Sequence, residues 1–355
     1  MHRERIEAWQ VDCPSSFQIP VNEEIVDMRI RLTLQYLLVA AGLIVALAAP
    51  ACAAGGPKAS KSPRPVGVIN SSNGGVYEKG QYGIIFKYIT FEQDQLYSGN
   101  DKVDFTRPIH GQQPGKKCNE KSMRQFQTTL RAGLTDRIDA RLIVPFFDKE
   151  MQRKSWNNDF SDDNSGIGDI KLIGRYRIWS QKRKDPFNLA IGAGLKFPTG
   201  STDDTDDNEA CLPGFLQTGS GSWDPVVELG AHKVMGRHWI SSYLMYQMTS
   251  EGELGDKDYE KPDLFKYNLG YAYAISRLFD LQLECNGELR GKAKLNGAKQ
   301  ENSGGHTVYL TPGLHFKLHK GMHLDFGVPV PVYRDLNGTQ LSEDFRVVAK
   351  LAMKF

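Results

Sequence analysis

Apolar and polar side chains alternate along most of the chain after about residue 80. In the segment FDLQLECNGELRG, which begins at Phe279, leucines occupy one face and charged or amide side chains occupy the other. Successive side chains of a β-strand point to opposite faces of a sheet, so this period indicates strands. The pattern predicts twelve of them, at 81–96, 122–134, 137–149, 167–180, 186–199, 222–234, 238–250, 263–276, 278–291, 305–318, 321–334 and 343–355.

The connections between these strands alternate in length. Short turns are predicted near 135, 181–185, 235–237, 277 and 319–320, and long polar stretches at 97–121, 150–166, 200–221, 251–262, 292–304 and 335–342. An even strand number with short turns at one end and long loops at the other is typical of an outer-membrane barrel. Strands of soluble sandwiches are shorter, with about five to six residues. We therefore expect an all-β fold: a single transmembrane antiparallel β-barrel with short periplasmic turns and long extracellular loops.

The chain ends inside its last predicted strand, at Phe355. A last strand that pairs with the first closes the barrel and leaves no free sheet edge. An aromatic residue at the end of an alternating strand is typical of the signal that the barrel-assembly machinery recognises, and we predict that role for Phe355. In lipid the apolar face of each strand must point outward, which leaves the polar face for the lumen.

An export signal precedes the predicted barrel. Arg29 and Arg31 come before an apolar run from Leu37 to Ala49, which is followed by Pro50 and small residues. The run is too short for a typical membrane span, and this three-part layout is that of a secretory signal peptide. Cleavage is expected after Ala53 or Ala54.

The predicted organisation has four parts. Residues 1–27 contain no targeting pattern and are interpreted as an artefact of an upstream start codon or as an extension, with translation starting at Met28. Residues 28–53 form the signal peptide, although lipidation of Cys52 and a retained anchor helix stay open as alternatives. Residues 54–80 form a periplasmic N-terminal lead rich in Gly, Pro, Lys and Ser, and residues 81–355 form the barrel.

Composition supports this fold class and narrows the partners. The net charge of +2 gives no reason to expect a nucleic-acid partner. A helical membrane protein would need several runs of about 20 apolar residues, whereas a membrane barrel conceals its apolar residues by alternation. Aromatic residues near strand ends, such as Trp179, Trp223 and Trp239, predict girdles at the membrane interfaces.

Three short motifs lie at the ends of central strands: GIGD at 166–169, KFPTG at 196–200 and TGSGSWD at 218–224. On these motifs, and over residues 160–355 in general, the chain resembles the outer-membrane transporter family named for the meta-pathway of phenol degradation. The resemblance implies a β-barrel in the bacterial outer membrane and a role in the uptake of small, often aromatic, molecules.

Charged side chains on the inward faces are the candidate lumen residues. The basic ones are Lys171, Arg175, Arg177, Lys196, Lys266, Arg346 and Lys350; the acidic ones are Asp169, Asp224, Glu228, Asp280, Glu284, Glu288 and Asp325. Opposite charges on facing walls would orient polar solutes and keep a path hydrated. Alternatively, these charges pair across a narrow barrel and fill it. We expect a channel or transporter for passive or selective uptake of small molecules; the alternative is a closed structural or binding barrel.

Enzymatic activity is not expected. A lipid hydrolase of this architecture would require a serine and a histidine together at the outer rim. The candidates are His306, His315 and His323 with Ser303 nearby, but no tight histidine–serine motif is present. The sequence predicts no catalytic residue, cofactor or metal.

The remaining features lie in the long loops. The acidic stretch STDDTDDNEAC, residues 201–211, could bind calcium or bridge lipopolysaccharide, although a solvated acidic loop is the favoured interpretation. Cys118 and Cys211 lie in loops on the same side and are candidates for a disulfide, whereas Cys285 is expected on the lipid face. The partners expected overall are outer-membrane lipids, lipopolysaccharide, the barrel-assembly machinery and a small-molecule solute.

Overall fold

The structure is a computed structural model that describes residues 67–70, 72–103, 116–155, 158–318 and 321–355, with backbone only for 116–119, 153–155 and 158–160. The predicted signal peptide, its alternatives and the upstream segment 1–27 lie outside the described residues. No helix in the described part of the chain has the length and apolarity needed to span a bilayer.

Within the described residues the chain forms β-strands and one short 3₁₀-helix, Gln181–Arg183. The strands are β1 (Tyr82–Gly99), β2 (Asp101–Lys102), β3 (Lys116–Gly133), β4 (Ile138–Ser155), β5 (Asn158–Ile167), β6 (Lys171–Trp179), β7 (Asn188–Lys196), β8 (Asp224–Met235), β9 (His238–Gln247), β10 (Gly252–Leu254), β11 (Lys257–Glu260), β12 (Leu264–Ala274), β13 (Phe279–Arg290), β14 (Lys294–Leu295), β15 (Ala298–Lys299), β16 (Gly305–Lys317), β17 (His323–Gly327) and β18 (Val330–Lys354).

A closed antiparallel barrel of twelve wall strands is formed within the described residues, as predicted. β5 and β6 make one wall strand with a break between them. β17 and the first limb of β18 make another, and β18 turns back at Gly338, where φ is +58°, to supply the last. This second limb pairs with β1, and the backbone N–H of Phe355 donates to the carbonyl of Tyr82 at 2.8 Å. The sheet is therefore closed by its two terminal strands.

Several strands extend beyond their predicted bounds at the long-loop end. β1 continues to Gly99, β3 begins at Lys116, and β4 and β5 together cover most of the stretch predicted as a loop at 150–166. The stretch predicted as a loop at 335–342 is a tight hairpin within β18. Strand segments that rise above the membrane have water on their outer face, so they need no apolar alternation, and the pattern does not reveal them.

The outer surface of the barrel carries a belt of exposed apolar side chains. Every wall strand contributes at least one: Phe86, Leu130, Leu142, Leu172, Ile191, Leu229, Leu244, Leu269, Leu283, Leu310, Val332 and Phe345. A soluble monomer rarely exposes an apolar surface of this extent, whereas a transmembrane barrel requires it. The chain is thus built as a transmembrane barrel of the outer-membrane type.

The aromatic residues at strand ends divide into two groups. Trp179 and Trp223 are exposed, as a girdle position requires, but Trp239 is buried inside the barrel. Its ring stacks on His232 with the centroids 4.1 Å apart. The girdle prediction for Trp239 is therefore wrong, because this residue shares the inward phase of β9 with Ser241 and Tyr243.

Candidate functional site

Residues 67–70 and 72–78, here called the inner segment, lie inside the barrel at its short-turn end. Val68 and Ile69 are buried, and Val68 packs against Trp239. A Cβ atom on Gly74 would be 2.4 Å from the carbonyl oxygen of Asn188, so only glycine fits this close to the wall. The prediction that 54–80 forms a periplasmic lead did not anticipate this path, and the described part of the lead occupies the lumen.

Basic side chains of the wall bind backbone carbonyls of the inner segment. The Arg175 guanidinium donates to the carbonyl of Gly75 at 2.7 Å and also to the carbonyl of Asn73. Lys350 Nζ donates to the carbonyl of Val68 at 2.9 Å. A segment without sheet partners must satisfy its buried backbone groups in another way, and charged side chains do so here.

Carboxylates of the wall bind backbone N–H groups of the same segment. Glu284 Oε1 accepts from Ile69 N at 2.8 Å, and Asp139 Oδ2 accepts from Tyr77 N at 2.8 Å. Both carboxylates are almost fully buried. The alternation of the strands predicted an inward direction for both side chains.

Two of the predicted lumen charges form a buried cluster next to the inner segment. Glu228 Oε1 is 2.5 Å from Arg141 and 2.9 Å from Arg175, and Tyr243 OH donates to Glu228 Oε2 at 2.9 Å. Because the carboxylate is matched by two guanidinium groups and a phenol, the cluster is well compensated for a buried charge. It fixes the direction in which Arg175 reaches the segment.

Other predicted lumen charges also pair with neighbours on the wall. Lys266 Nζ is 2.8 Å from Glu288 Oε1, and Arg346 is 3.5 Å from the same oxygen. Asp280 pairs with Lys317. These ion pairs connect nearby strands. The lumen charges therefore agree better with the alternative in which they pair and fill the barrel than with opposite charges on facing walls.

The loop between β7 and β8, residues 197–223 and here called the folded-in loop, enters the barrel from the opposite end. Leu216 is fully buried and packs with Met151 on the inward face of β4. Lys149 Nζ donates to the carbonyls of Phe215 and Gln217 at 2.8 and 2.7 Å. This loop closes the extracellular side of the lumen, while its acidic tip at 203–209 carries exposed residues.

The three sequence motifs meet at the base of the folded-in loop. Lys196 Nζ lies 3.0 Å from Asp169 Oδ2 and 2.7 Å from Asp224 Oδ2. Ser220 Oγ donates to Asp169 Oδ2 at 2.7 Å, and Gly200 N donates to Asp169 Oδ1 at 3.1 Å. One buried cation thus ties the start and the end of the loop to the wall.

Glycines allow the two ends of the folded-in loop to cross. A Cβ atom on Gly219 would be 2.2 Å from the carbonyl oxygen of Gly200, and one on Gly168 would be 2.3 Å from the Phe147 ring. No side chain fits at such distances without a shift of the backbone. The glycines of the motifs are therefore required by close packing.

A small sheet covers the folded-in loop from outside. It consists of β10, β11, β14 and β15, and Lys261, next to β11, donates from Nζ to the carbonyl of Gly219. Burial lowers the pKa of the Lys261 amine to about 8. The closed loop consequently disfavours the charged form of this lysine.

A cavity of about 950 Å³ adjoins the inner segment in the lumen. Its wall is mixed. Cations are supplied by Lys87, Lys171 and Lys266, and apolar surface by Ile85, Ile89, Ile143, Ile173, Val226 and Met245. Ile173, Val226 and Met245 also belong to one buried cluster with Leu264. The cavity therefore offers both apolar surface and charged groups to a small molecule.

A family model described as "Putative MetA-pathway of phenol degradation" matches residues 121–335, which is more than half of the chain. The chain belongs to this family. The matched region contains the three motifs and the folded-in loop.

A solved structure shows the same fold, and two others have a lower similarity. The COG4313 outer membrane channel from Pseudomonas putida F1 has a TM-score of 0.61 at 16% identity, with 81% of this chain and 100% of that chain covered. The transport unit of the autotransporter AIDA-I from Escherichia coli scores 0.42 at 9% identity, covering 77% and 89%. The P. putida toluene transporter TodX scores 0.39 at 10% identity, covering 79% and 91%. No curated protein gives a sequence match. With its apolar belt and this fold, the family member is a bacterial outer-membrane β-barrel.

The candidate catalytic residues do not form a catalytic pair. His306 Nε2 is 3.0 Å from Tyr267 OH. Ser303 Oγ donates to the carbonyl of Gln300 at 2.6 Å and accepts from Ala293 N at 2.9 Å. Both side chains are therefore engaged in local contacts of the loop and wall.

The structure describes the side chain of only one of the two cysteines predicted to form a disulfide. Cys211 is exposed and has no disulfide partner among the described side chains, and Cys285 is half-buried on β13. The side chain of Cys118 lies outside the described residues, so its pairing with Cys211 stays a prediction. The assembly role of Phe355 also stays a prediction, although its backbone pairs with β1.

Proposed function

We propose that the protein is an outer-membrane channel for small molecules, and that the structure represents its closed state. The observation that carries this proposal is the lumen itself: the inner segment occupies one end, the folded-in loop occupies the other, and a cavity of about 950 Å³ adjoins the segment. A barrel that served only as a scaffold would have no need of a cavity of this size. Passage through the lumen requires both the inner segment and the folded-in loop to move.

We further propose that the solutes are small aromatic or otherwise hydrophobic compounds. Ile173, Val226 and Met245 give the cavity an apolar wall, and Lys87 and Lys171 add cationic groups beside it. Such a wall favours a solute with an apolar body and a polar or anionic end. The family description, which refers to phenol degradation, agrees with this class.

The second candidate function is a closed structural barrel. It is favoured by the dense pairing of the lumen charges, among them Glu228 with Arg141 and Lys196 with Asp224. In this alternative the cavity is a packing defect and neither closure moves.

Conductance in planar bilayers and solute uptake into proteoliposomes distinguish the two functions. We expect rare, small openings for the wild type and more frequent openings for a variant lacking residues 67–78, in which only the folded-in loop still closes the lumen. Phenol should enter wild-type proteoliposomes faster than protein-free ones, and Ile173→Asn should slow that entry without abolishing the openings of the shortened variant.

A matched control places the same substitution on the lipid-facing side of the same strand, at Leu172, provided that the variant barrel folds. If the shortened variant folds but neither conducts ions nor speeds the entry of phenol, the structural barrel is the correct interpretation.

A further inference from the structure

Two histidines and a carboxylate lie together at the short-turn end of the lumen. His315 is near the end of β16, and His323 and Asp325 begin β17 after a short turn. His315 and Asp325 are direct partners in the antiparallel register, and His323 is two residues away on the same inward face. One ligand atom from each of the three side chains lies within 4.8 Å of the others.

The buried members of this group have unsatisfied atoms. His315 and Asp325 are 1% and 0% exposed. His315 Nδ1 is 2.6 Å from Asp325 Oδ1, which also accepts from Gln282 Nε2 at 3.0 Å. His315 Nε2 has no hydrogen-bond partner, and Asp325 Oδ2 has no hydrogen bond but an ion pair with Lys350 Nζ at 3.3 Å. A buried polar atom without a partner is costly, and such atoms call for an explanation.

A divalent transition-metal ion would explain them. We propose that His315, His323 and Asp325 bind such an ion, of the zinc or nickel class. Two imidazoles and one carboxylate are a ligand set that these metals accept, and metal–ligand bonds of about 2 Å would draw the three groups closer together. Three protein ligands leave a coordination position open toward the cavity, which all three residues line or adjoin.

Gln282 would act on the ion indirectly. By donating to Asp325 Oδ1 it fixes the carboxylate and leaves Oδ2 without a hydrogen bond, and His323 Nε2 already lies 3.9 Å from that oxygen. Outer partners that orient a ligand in this way are a regular feature of metal sites.

The inner segment is connected to this site through Lys350. Lys350 Nζ is 3.3 Å from Asp325 Oδ2 and donates to the carbonyl of Val68 at 2.9 Å. The ion and the ammonium group therefore compete for one carboxylate oxygen. Removing the ammonium with Lys350→Met should strengthen metal binding about tenfold, and by thermodynamic linkage the metal should weaken the hold of Lys350 on the inner segment.

The test uses the full mature protein without a polyhistidine tag, titrated with Zn²⁺ by calorimetry and with Co²⁺ by its visible absorption. Excess Ca²⁺ is included to saturate the acidic stretch at 203–209, because hard oxygen ligands prefer calcium. We expect one saturable site per barrel. His323→Gln should weaken binding at least tenfold and remove the Co²⁺ absorption band. His306→Gln is the matched control, since His306 contacts Tyr267 away from the site, and it should bind like the wild type.

Folding of each variant is checked by heat-modifiable gel mobility. His323→Gln is preferred to a substitution of buried His315, because His323 is partly exposed and its replacement disturbs the fold less. The proposal is overturned if the wild type shows no saturable binding, or if His323→Gln and the wild type bind equally. It is also overturned if Lys350→Met weakens binding. None of these outcomes depends on the proposed channel function.

Discussion

Arg175→Met should weaken the binding of the inner segment to the wall while leaving the sheet of the barrel intact. The side chain projects from β6 and donates to the carbonyls of Gly75 and Asn73. Methionine has a similar length but no donor. Glu228, the other partner of Arg175, keeps its ion pair with Arg141, so no unpaired carboxylate is left behind.

The magnitude follows from the number of bonds that are lost. Arg131 also donates to the Gly75 carbonyl, so that group keeps a partner, whereas Asn73 loses its charged donor. The bond to the Asn73 carbonyl has a charged donor, and such a bond contributes about 1.5–3 kcal/mol. The bond to the Gly75 carbonyl, which Arg131 also donates to, is counted at roughly half the value of a neutral hydrogen bond. The total loss is about 2–4 kcal/mol. Each 1.4 kcal/mol changes an equilibrium constant about tenfold, so the released form should become roughly 30- to 1,000-fold more populated.

Two measurements check this prediction. Single-channel recordings should show an increased open probability for Arg175→Met. Separately, a cysteine placed at Ser72 in a background without other cysteines should react faster with a soluble maleimide when Arg175 is replaced. Lys182→Met is the matched control, because Lys182 is a basic residue at the same end whose ion pair with Glu78 is largely exposed.

The reasoning would be refuted by a particular pair of results. If the Arg175→Met barrel folds normally and its Ser72→Cys thiol stays as protected as in the wild type, the guanidinium contacts do not hold the segment. Because Lys182 also contacts the inner segment, through Glu78, equal effects of the two substitutions would show that the buried contacts of Arg175 hold the segment no better than an exposed ion pair does.

Three further predictions concern the extracellular closure. Burial lowers the pKa of Lys261 to about 8, so the charged form of this lysine favours the open loop. Raising the pH from 7 to 9 should therefore stabilise the closed loop by up to about 1 kcal/mol, measured by protection from protease. Lys261→Met should remove this pH dependence. Gly219→Ala places a Cβ 2.2 Å from the carbonyl oxygen of Gly200 and should destabilise the closed loop by about 1–3 kcal/mol in the same assay, whereas Gly174→Ala, with 3.9 Å to the nearest atom, should have little effect. The exposed thiol of Cys211 should react with maleimide from the extracellular side; protection that is lost only after reduction would instead support its pairing with Cys118.

Alternation made the wall of this barrel predictable. Each wall residue faces either lipid or lumen, so the period of two in β13 and in the second limb of β18 fixes both the element and its orientation. The same phase placed Arg175 and Glu228 inside. Segments above the membrane, such as the start of β3 at Lys116, are not under that constraint and were missed.

The contents of the lumen could not be predicted in the same way. The inner segment has no hydrophobic period, and its position depends on side chains from strands far apart in the chain, such as Asp139, Arg175, Glu284 and Lys350. The sequence showed which charged residues face the lumen but not which of them form ion pairs, because the partners depend on strand register and on barrel closure. A partial signal existed for His315 and Asp325: a short turn between two strands predicts that residues at similar distances from it lie close together.

The inner segment also has a consequence for the order of assembly. Its contacts come from early strands, through Asp139 and Arg175, and from the last strand, through Lys350. Since it precedes β1 in the chain yet needs the final strand for its binding, its native contacts can be completed only after the seam between β1 and β18 has formed. Maturation should therefore occur in two steps, with a closed but still accessible barrel preceding one whose N-terminal region resists proteolysis.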